Sequence, residues 1–297
     1  MKKLKIDKRY ITSVVYVVVL LALMICKWLL GDWGGLGFDA LFCAISIIGC
    51  LEFFNAVKIV PEPQKIITVA FCSACIPLFV FSEMVNVGGY LPVLILFGVY
   101  AIVDVIFALA SYEGSNLNTT LLSLGGAVYC GILSCVFSAI NHLKENSVPL
   151  VLLMFLIVML TDSLAFLFGK LFKRWIPKKL APKISPNKTI IGGVGGLIGG
   201  MIAGVLAYYI WFGLSKVAGD ALVYSSGIPG AVAFMLIGFV GAIVGQAGDL
   251  FESFIKRRCG IKDSGKILPG HGGVLDRFDS MFFVGVLVLI ASFLLVL

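Results

Sequence analysis

The sequence predicts an all-α polytopic membrane protein of about nine transmembrane helices with a cytoplasmic N-terminus, and three observations lead there. Hydrophobic residues make up 60% of the 297 positions and charged ones only 13%. Mean hydropathy is +1.07, beyond what a soluble domain tolerates. Apolar runs of span length recur along the whole chain, and the cations gather in alternate connections between them.

A helix needs about 20 mostly apolar residues to cross a hydrocarbon core roughly 30 Å thick. Runs of that kind are read at approximately 11–30, 37–57, 66–82, 89–110, 119–140, 148–169, 190–214, 228–248 and 280–297. The charged opening "MKKLKIDKRY" looks like the head of a signal peptide. However, the run behind it is too long and "CKWLLGDW" has no small-residue cleavage site, so it is read as a retained first span.

Short loops rich in Lys and Arg stay cytoplasmic. With the N-terminus inside, the inner segments hold 20 of the 23 Lys and Arg, leaving Lys27, Lys144 and Lys216 outside. The opposite orientation would invert that bias. The net charge of +7 is therefore split among loops on one membrane face. Such a layout suits anionic membrane lipids or a phosphate-bearing substrate and argues against a nucleic-acid partner.

Eight cysteines include "CSAC" at 72–75, but seven of the eight lie inside apolar spans and no second Cys or His pair accompanies them. They are read as packing residues. Cys259 stands alone in a polar loop with nothing around it that marks a nucleophile.

The outer connections are short, whereas two inner loops, 170–188 and 249–279, are long, and long loops in a compact protein are usually functional. The organisation expected is an N-terminal membrane half, 1–147, of about five spans and a C-terminal working half, 148–297, of about four. No internal repeat of the secondary-transporter kind is visible.

The last inner loop runs "GDLFESFIKRRCGIKDSGKILPGHGGVLDRFDS". If the helix continues past Asp249, then Asp249, Ser253, Lys256 and Arg257 share one face. Glu252 and Arg258 lie nearby without a spacing argument of their own. The glycines and Pro269 of "GIKDSGKILPGHGG" turn the chain back toward the membrane. Asp276 and Asp279 then fall three apart at the start of the last span.

Carboxylates suit a hard divalent ion such as magnesium, which leaves coordination positions to water and phosphate oxygens. Lys256, Arg257, Lys262 and Arg277 add the cations that phosphoryl transfer needs. A solvated loop whose aspartates only cap or pair locally is the competing account. His271 between two glycines is as well placed to carry a proton or donate to phosphate as to bond its own turn.

The earlier loop, "KRWIPKKLAPKISPNKTIIGG", has six basic residues and no acid, and Lys170 just before it makes seven. It reads both as a headgroup-binding segment and as a turn that aims Ser185, Lys188, Thr189 and a helix N-terminus at phosphate. Gly192, Gly196, Gly200 and Gly204 recur every four residues and are read as a packing face, there being no G-x-x-x-x-G-K-[ST] match. The same face, or a flat apolar span, would support a homodimer. Asp162 within span six is expected to be functional, whereas Glu52 and Asp104 are expected to be protonated or paired with a polar neighbour.

The run "SFIKRRCGIKDSGKILPGHGGVLDRFD", Ser253 to Asp279, resembles the signature of the phosphatidate cytidylyltransferases, also called CDP-diacylglycerol synthases. "TDSLAFLFGK" and "SPNKT" are similar to upstream segments of that family. One departure stands out: Ile191 occupies the place where the family usually has a glutamate after its SP-x-KT element.

The resemblance implies a nucleotidyltransferase of phospholipid biosynthesis, a multi-pass protein of the bacterial inner membrane. Such an enzyme transfers CMP from CTP to phosphatidic acid, giving CDP-diacylglycerol and pyrophosphate. It also implies magnesium, with room for a second cation. By position, Asp249, Asp276 and Asp279 would hold metal, while Lys256, Arg257, Asp276 and Arg277 would carry catalysis. Ser185, Lys188, Thr189, Ser253, Lys262, Asp263, His271, Gly272 and Gly273 would bind substrate. A CTP-dependent transferase acting on another lipid phosphate stands second, and a membrane transporter third.

Overall fold

A computed structural model describes residues 8–110, 116–144, 146–172, 174–218, 228–265, 267 and 272–296. Among these it has nine helical rods and one short hairpin. Eight rods are long and apolar enough to cross a membrane; the ninth is α1 (Lys8–Leu30), apolar over Val17–Leu30.

The chain divides into two compact units, Met1–His142 with Ile261–Arg277, and Leu143–Gly260 with Phe278–Leu297. Hydropathy and loop length place residues 261–277 with the C-terminal half. They pack instead with the N-terminal helices, because side chains there hold their backbone.

Unit 1 is built on α2 (Asp32–Val57), α3 (Glu62–Met84), α4 (Tyr90–Leu109), α5 (Leu117–Gly126) and α6 (Leu133–Asn141). A π segment, Ala127–Ile132, joins α5 to α6 and completes one span. Its core is aromatic: Phe42 of α2 stacks on Phe137 of α6 with ring centroids 4.1 Å apart. Irregular backbone in a span must find its own hydrogen-bond partners. Accordingly, the Cys130 carbonyl accepts from the hydroxyls of Ser46 and Ser134, at 2.7 and 2.6 Å. Pro77 in α3 leaves the Ser73 carbonyl without its helical donor, and the Cys43 thiol donates there at 3.7 Å. All eight cysteines are free thiols, as packing residues should be.

Asp104 is fully buried and accepts from Gln64 Nε2 at 2.8 Å, the polar pairing expected of it. At the other end of the unit, Asp39 bonds His142 Nε2 at 2.8 Å and Asn141 Nδ2 at 3.2 Å.

Unit 2 packs α7 (Ser147–Phe172), α8 (Ile190–Ala218) and α9 (Gly230–Arg258), with α10 (Leu275–Val296) from Phe278 onward. The glycines of α8 serve two neighbours. Gly192 meets Ala165 of α7, while Gly200 and Gly204 meet the backbone of Gly238 and Phe234 of α9 so closely that a Cβ has no room. Between them, Gly196 faces Gln246 of α9 and Thr161 of α7. The stripe is thus covered within its own unit, which corrects the expectation that it could seat a second copy.

Candidate active site

The basic loop after α7 is not open chain. Its strands β1 (Lys179–Ala181) and β2 (Ser185–Thr189) pair antiparallel, with Lys179 opposite Thr189 and Ala181 opposite Ser185. The hairpin delivers the chain straight into α8. Thr189 is buried, and its Oγ1 accepts from Gly192 N at 3.1 Å, satisfying one of the orphan donors of that helix N-terminus.

Beside this junction lies a half-open cavity of about 650 Å³. Asp162, Gly169 and Lys170 of α7, Asn187, Lys188 and Thr189 of the hairpin, and Gln246 and Asp249 of α9 line it, together with apolar side chains. Gly192 and Gly193 complete its floor, so the first turn of α8 presents bare backbone there. Two ammonium groups, two carboxylates and two amides thus converge on one opening.

The α9 helix continues past Asp249 as expected, and the residues predicted on one face divide their partners. Asp249 Oδ2 pairs with Lys188 Nζ at 2.5 Å, and Oδ1 accepts from Ser253 Oγ at 3.4 Å. Lys256 pairs with Glu252, one turn back and almost fully buried. Arg257 Nε donates to the Ile184 carbonyl at 3.3 Å, tying α9 to the hairpin turn. Ser185 sits at that far end of the hairpin and does not line the cavity.

Asp279, also in unit 2, is buried and accepts from Ser280 N at 2.6 Å. The side chains of Asp249, Asp162 and Lys256 lie in its neighbourhood. The approach is made possible by Gly248, whose missing side chain lets Phe283 and the Asp279 carbonyl close onto α9. These oxygen-only donors are of the kind magnesium takes. Among the described residues no three His, Cys, Asp or Glu side chains form a ready metal cage. A cation here would draw on one or two carboxylates and fill its shell with water and phosphate oxygens, and the donor set fits that need.

In unit 1 the structure brings Gly272, Gly273 and Asp276 together. Asp276, in the first turn of α10, accepts from Ser264 N at 3.0 Å and Gly273 N at 2.7 Å. Gly272 has φ +87° and faces that carboxylate, so neither its conformation nor its surroundings admit a side chain. Lys262 and Asp263 lie beside this turn in sequence; His271 is outside the described residues.

Sequence reasoning missed Gln246, Asn187 and Glu252. Glu252 carried a usable signal, the i,i+4 spacing to Lys256. Gln246 stands three residues before Asp249 and so shares its face, whereas Asn187 carried none.

The cytidylyltransferase family profile matches residues 7–295. A protein of Staphylococcus aureus strain COL named phosphatidate cytidylyltransferase is 31% identical over 282 residues, 93% of this chain and 95% of its own length. A Staphylococcus epidermidis protein of the same name is 30% identical over 263 residues, covering 84% and 88%. The chain belongs to the cytidylyltransferase family, and it is a multi-pass membrane nucleotidyltransferase that uses CTP.

Proposed function

We propose that this protein transfers the cytidylyl group of CTP to phosphatidic acid, forming CDP-diacylglycerol and pyrophosphate, with magnesium, at the cytoplasmic face of a bacterial inner membrane. The observation that carries the reading is the cavity bounded by Lys188, Lys170, Asp249 and Asp162 in a chain of this family. The distribution of Lys and Arg supports the orientation.

A phosphate oxygen of phosphatidic acid attacks the α-phosphorus of CTP. That P–O bond forms as the bond to the bridging α,β-oxygen breaks, and pyrophosphate leaves with the electron pair. No protein nucleophile is required. Lys188 and Lys170 hold phosphate oxygens that would otherwise repel one another, and Ser253 orients Asp249. Asp249 and Asp279 are the carboxylates that would hold magnesium, which when bound would supply charge neutralisation for the crowded phosphates. Lys188 leaves Asp249 as substrate arrives, exchanging one anion for another. The roles that family resemblance implies for Lys256, Arg257, Lys262, Asp263, Asp276 and Arg277 form part of the same proposal.

Pyrophosphate release by the detergent-purified protein tests it. Release is expected only when CTP, phosphatidic acid and magnesium are all present, and EDTA should abolish it. Equal release with an isoprenoid-ether lipid phosphate would move the acceptor. None with any lipid phosphate, from protein that unfolds cooperatively, would overturn the reading.

A further inference from the structure

Glu52 has no place in the reaction just described and lies in the middle of the N-terminal helices, yet its surroundings are unusual for a membrane carboxylate. It is buried to 3% exposure, where an unmatched charge is costly. The expected partner is a polar side chain. The Ser264 hydroxyl is such a partner, donating to Oε2 at 3.4 Å, and beyond it Oε1 accepts from Val274 N at 3.1 Å and Oε2 from Leu275 N at 2.9 Å.

Those two N–H groups belong to the start of α10, whose first amides have no acceptor within the helix. A carboxylate is the acceptor best suited to that end, since it also meets the positive pole of the helix. The chain leaves room for it: a Cβ on Gly265 or Gly273 would run into the Glu52 carboxylate. Ser264 is held twice, by its hydroxyl to Glu52 and by its N–H to Asp276. Two carboxylates, one from α2 and one from α10 itself, thus grip the same short stretch of backbone.

We infer that Glu52 is a positioning residue for the reaction, fixing the first turn of α10 and with it Asp276 and Arg277. The inference rests on the function proposed above. It separates Glu52 from a simple packing role, because the groups it holds are backbone amides of the signature loop rather than core side chains.

The test is Glu52→Gln in the full chain, in detergent. An amide can accept one of the two N–H donors but turns its own NH2 on the other. Small misplacements of reacting groups are expensive, so kcat should fall roughly 10- to 100-fold. KM for CTP and phosphatidic acid should stay within about threefold, since binding contacts are kept. Glu52→Asp, which keeps the charge, should return kcat to within about fivefold of the parent. Backbone amides of Val274 and Leu275 should exchange faster in Glu52→Gln while those of α3 are unchanged.

Gly265→Ala presses on the same carboxylate without altering a charge, so it should lower kcat likewise and add little to Glu52→Gln, as coupled sites do. Should Glu52→Gln not fold, Glu52→Asp and Gly265→Ala decide the matter by the same two readouts. Parental kcat in Glu52→Gln or Gly265→Ala, or unchanged exchange at residues 274 and 275, would overturn the inference. A parent protein inert toward CTP and phosphatidic acid would defeat the proposed function instead, with the exchange comparison still judging the clasp.

Discussion

In unit 1 the carboxylates of Glu52 and Asp276 accept from backbone N–H groups at 273–275 and 264, whereas in unit 2 those of Asp249 and Glu252 meet the ammonium groups of Lys188 and Lys256. A backbone donor cannot leave without unfolding its loop. A lysine on a four-carbon stem can swing away at small cost once another anion takes its charge. The first arrangement builds; the second can exchange partners with a substrate, provided it borders open space. Asp249 does border the cavity, while Glu252 does not. Depth therefore divides the two lysine pairs of unit 2 as sharply as donor type divides the two units.

Replacing Asp249 by Asn should break this contrast most severely. It removes a charge from the cavity while keeping the shape, and kcat/KM for CTP-dependent pyrophosphate release should fall about 10³-fold, the scale of losing a preorganised electrostatic group. Thermal unfolding should barely move, because the residue is partly exposed; a large loss of stability would place Asp249 with the builders. Glu252→Gln should show the reverse. Removing one partner of a buried pair typically costs about 3–5 kcal/mol, so the unfolding midpoint should drop. A Glu252→Gln variant with the parental unfolding midpoint would take that pair out of the builders.

Lys188→Ala comes next, with about a 10²-fold loss of kcat/KM and partial rescue by Lys188→Arg, which keeps the charge but not the geometry. Parental activity in Lys188→Ala would leave the cavity without its main phosphate-holding group.

Smallest is the effect of Cys259→Ser. This residue follows α9, and burial pushes its thiol above the ordinary range. At neutral pH it is therefore more fully protonated than a free thiol, and alkylation should be slow and should accelerate as pH rises. Cys259→Ser should retain parental turnover, and an iodoacetamide-blocked protein should too.

Much of the fold and part of the site were legible in the sequence. Eight of the nine expected spans and the continuation of α9 past Asp249 follow from hydropathy and helical period. The pairing of Lys256 was recoverable too, since Glu252 sits one turn away. The resemblance of residues 253–279 to a known signature marked where along the chain the chemistry lies.

Hydropathy and the 3.6-residue period are properties of neighbouring residues, so one strand of letters determines them. The choices that matter most here join distant positions. Glu52 reaches residues 222 and 223 places ahead, and Lys188 reaches Asp249 across a hairpin whose pairing no periodicity announced. A buried carboxylate must find donors, which chemistry alone dictates. Which donors it finds depends on the path of the backbone, and only the tertiary structure decided that.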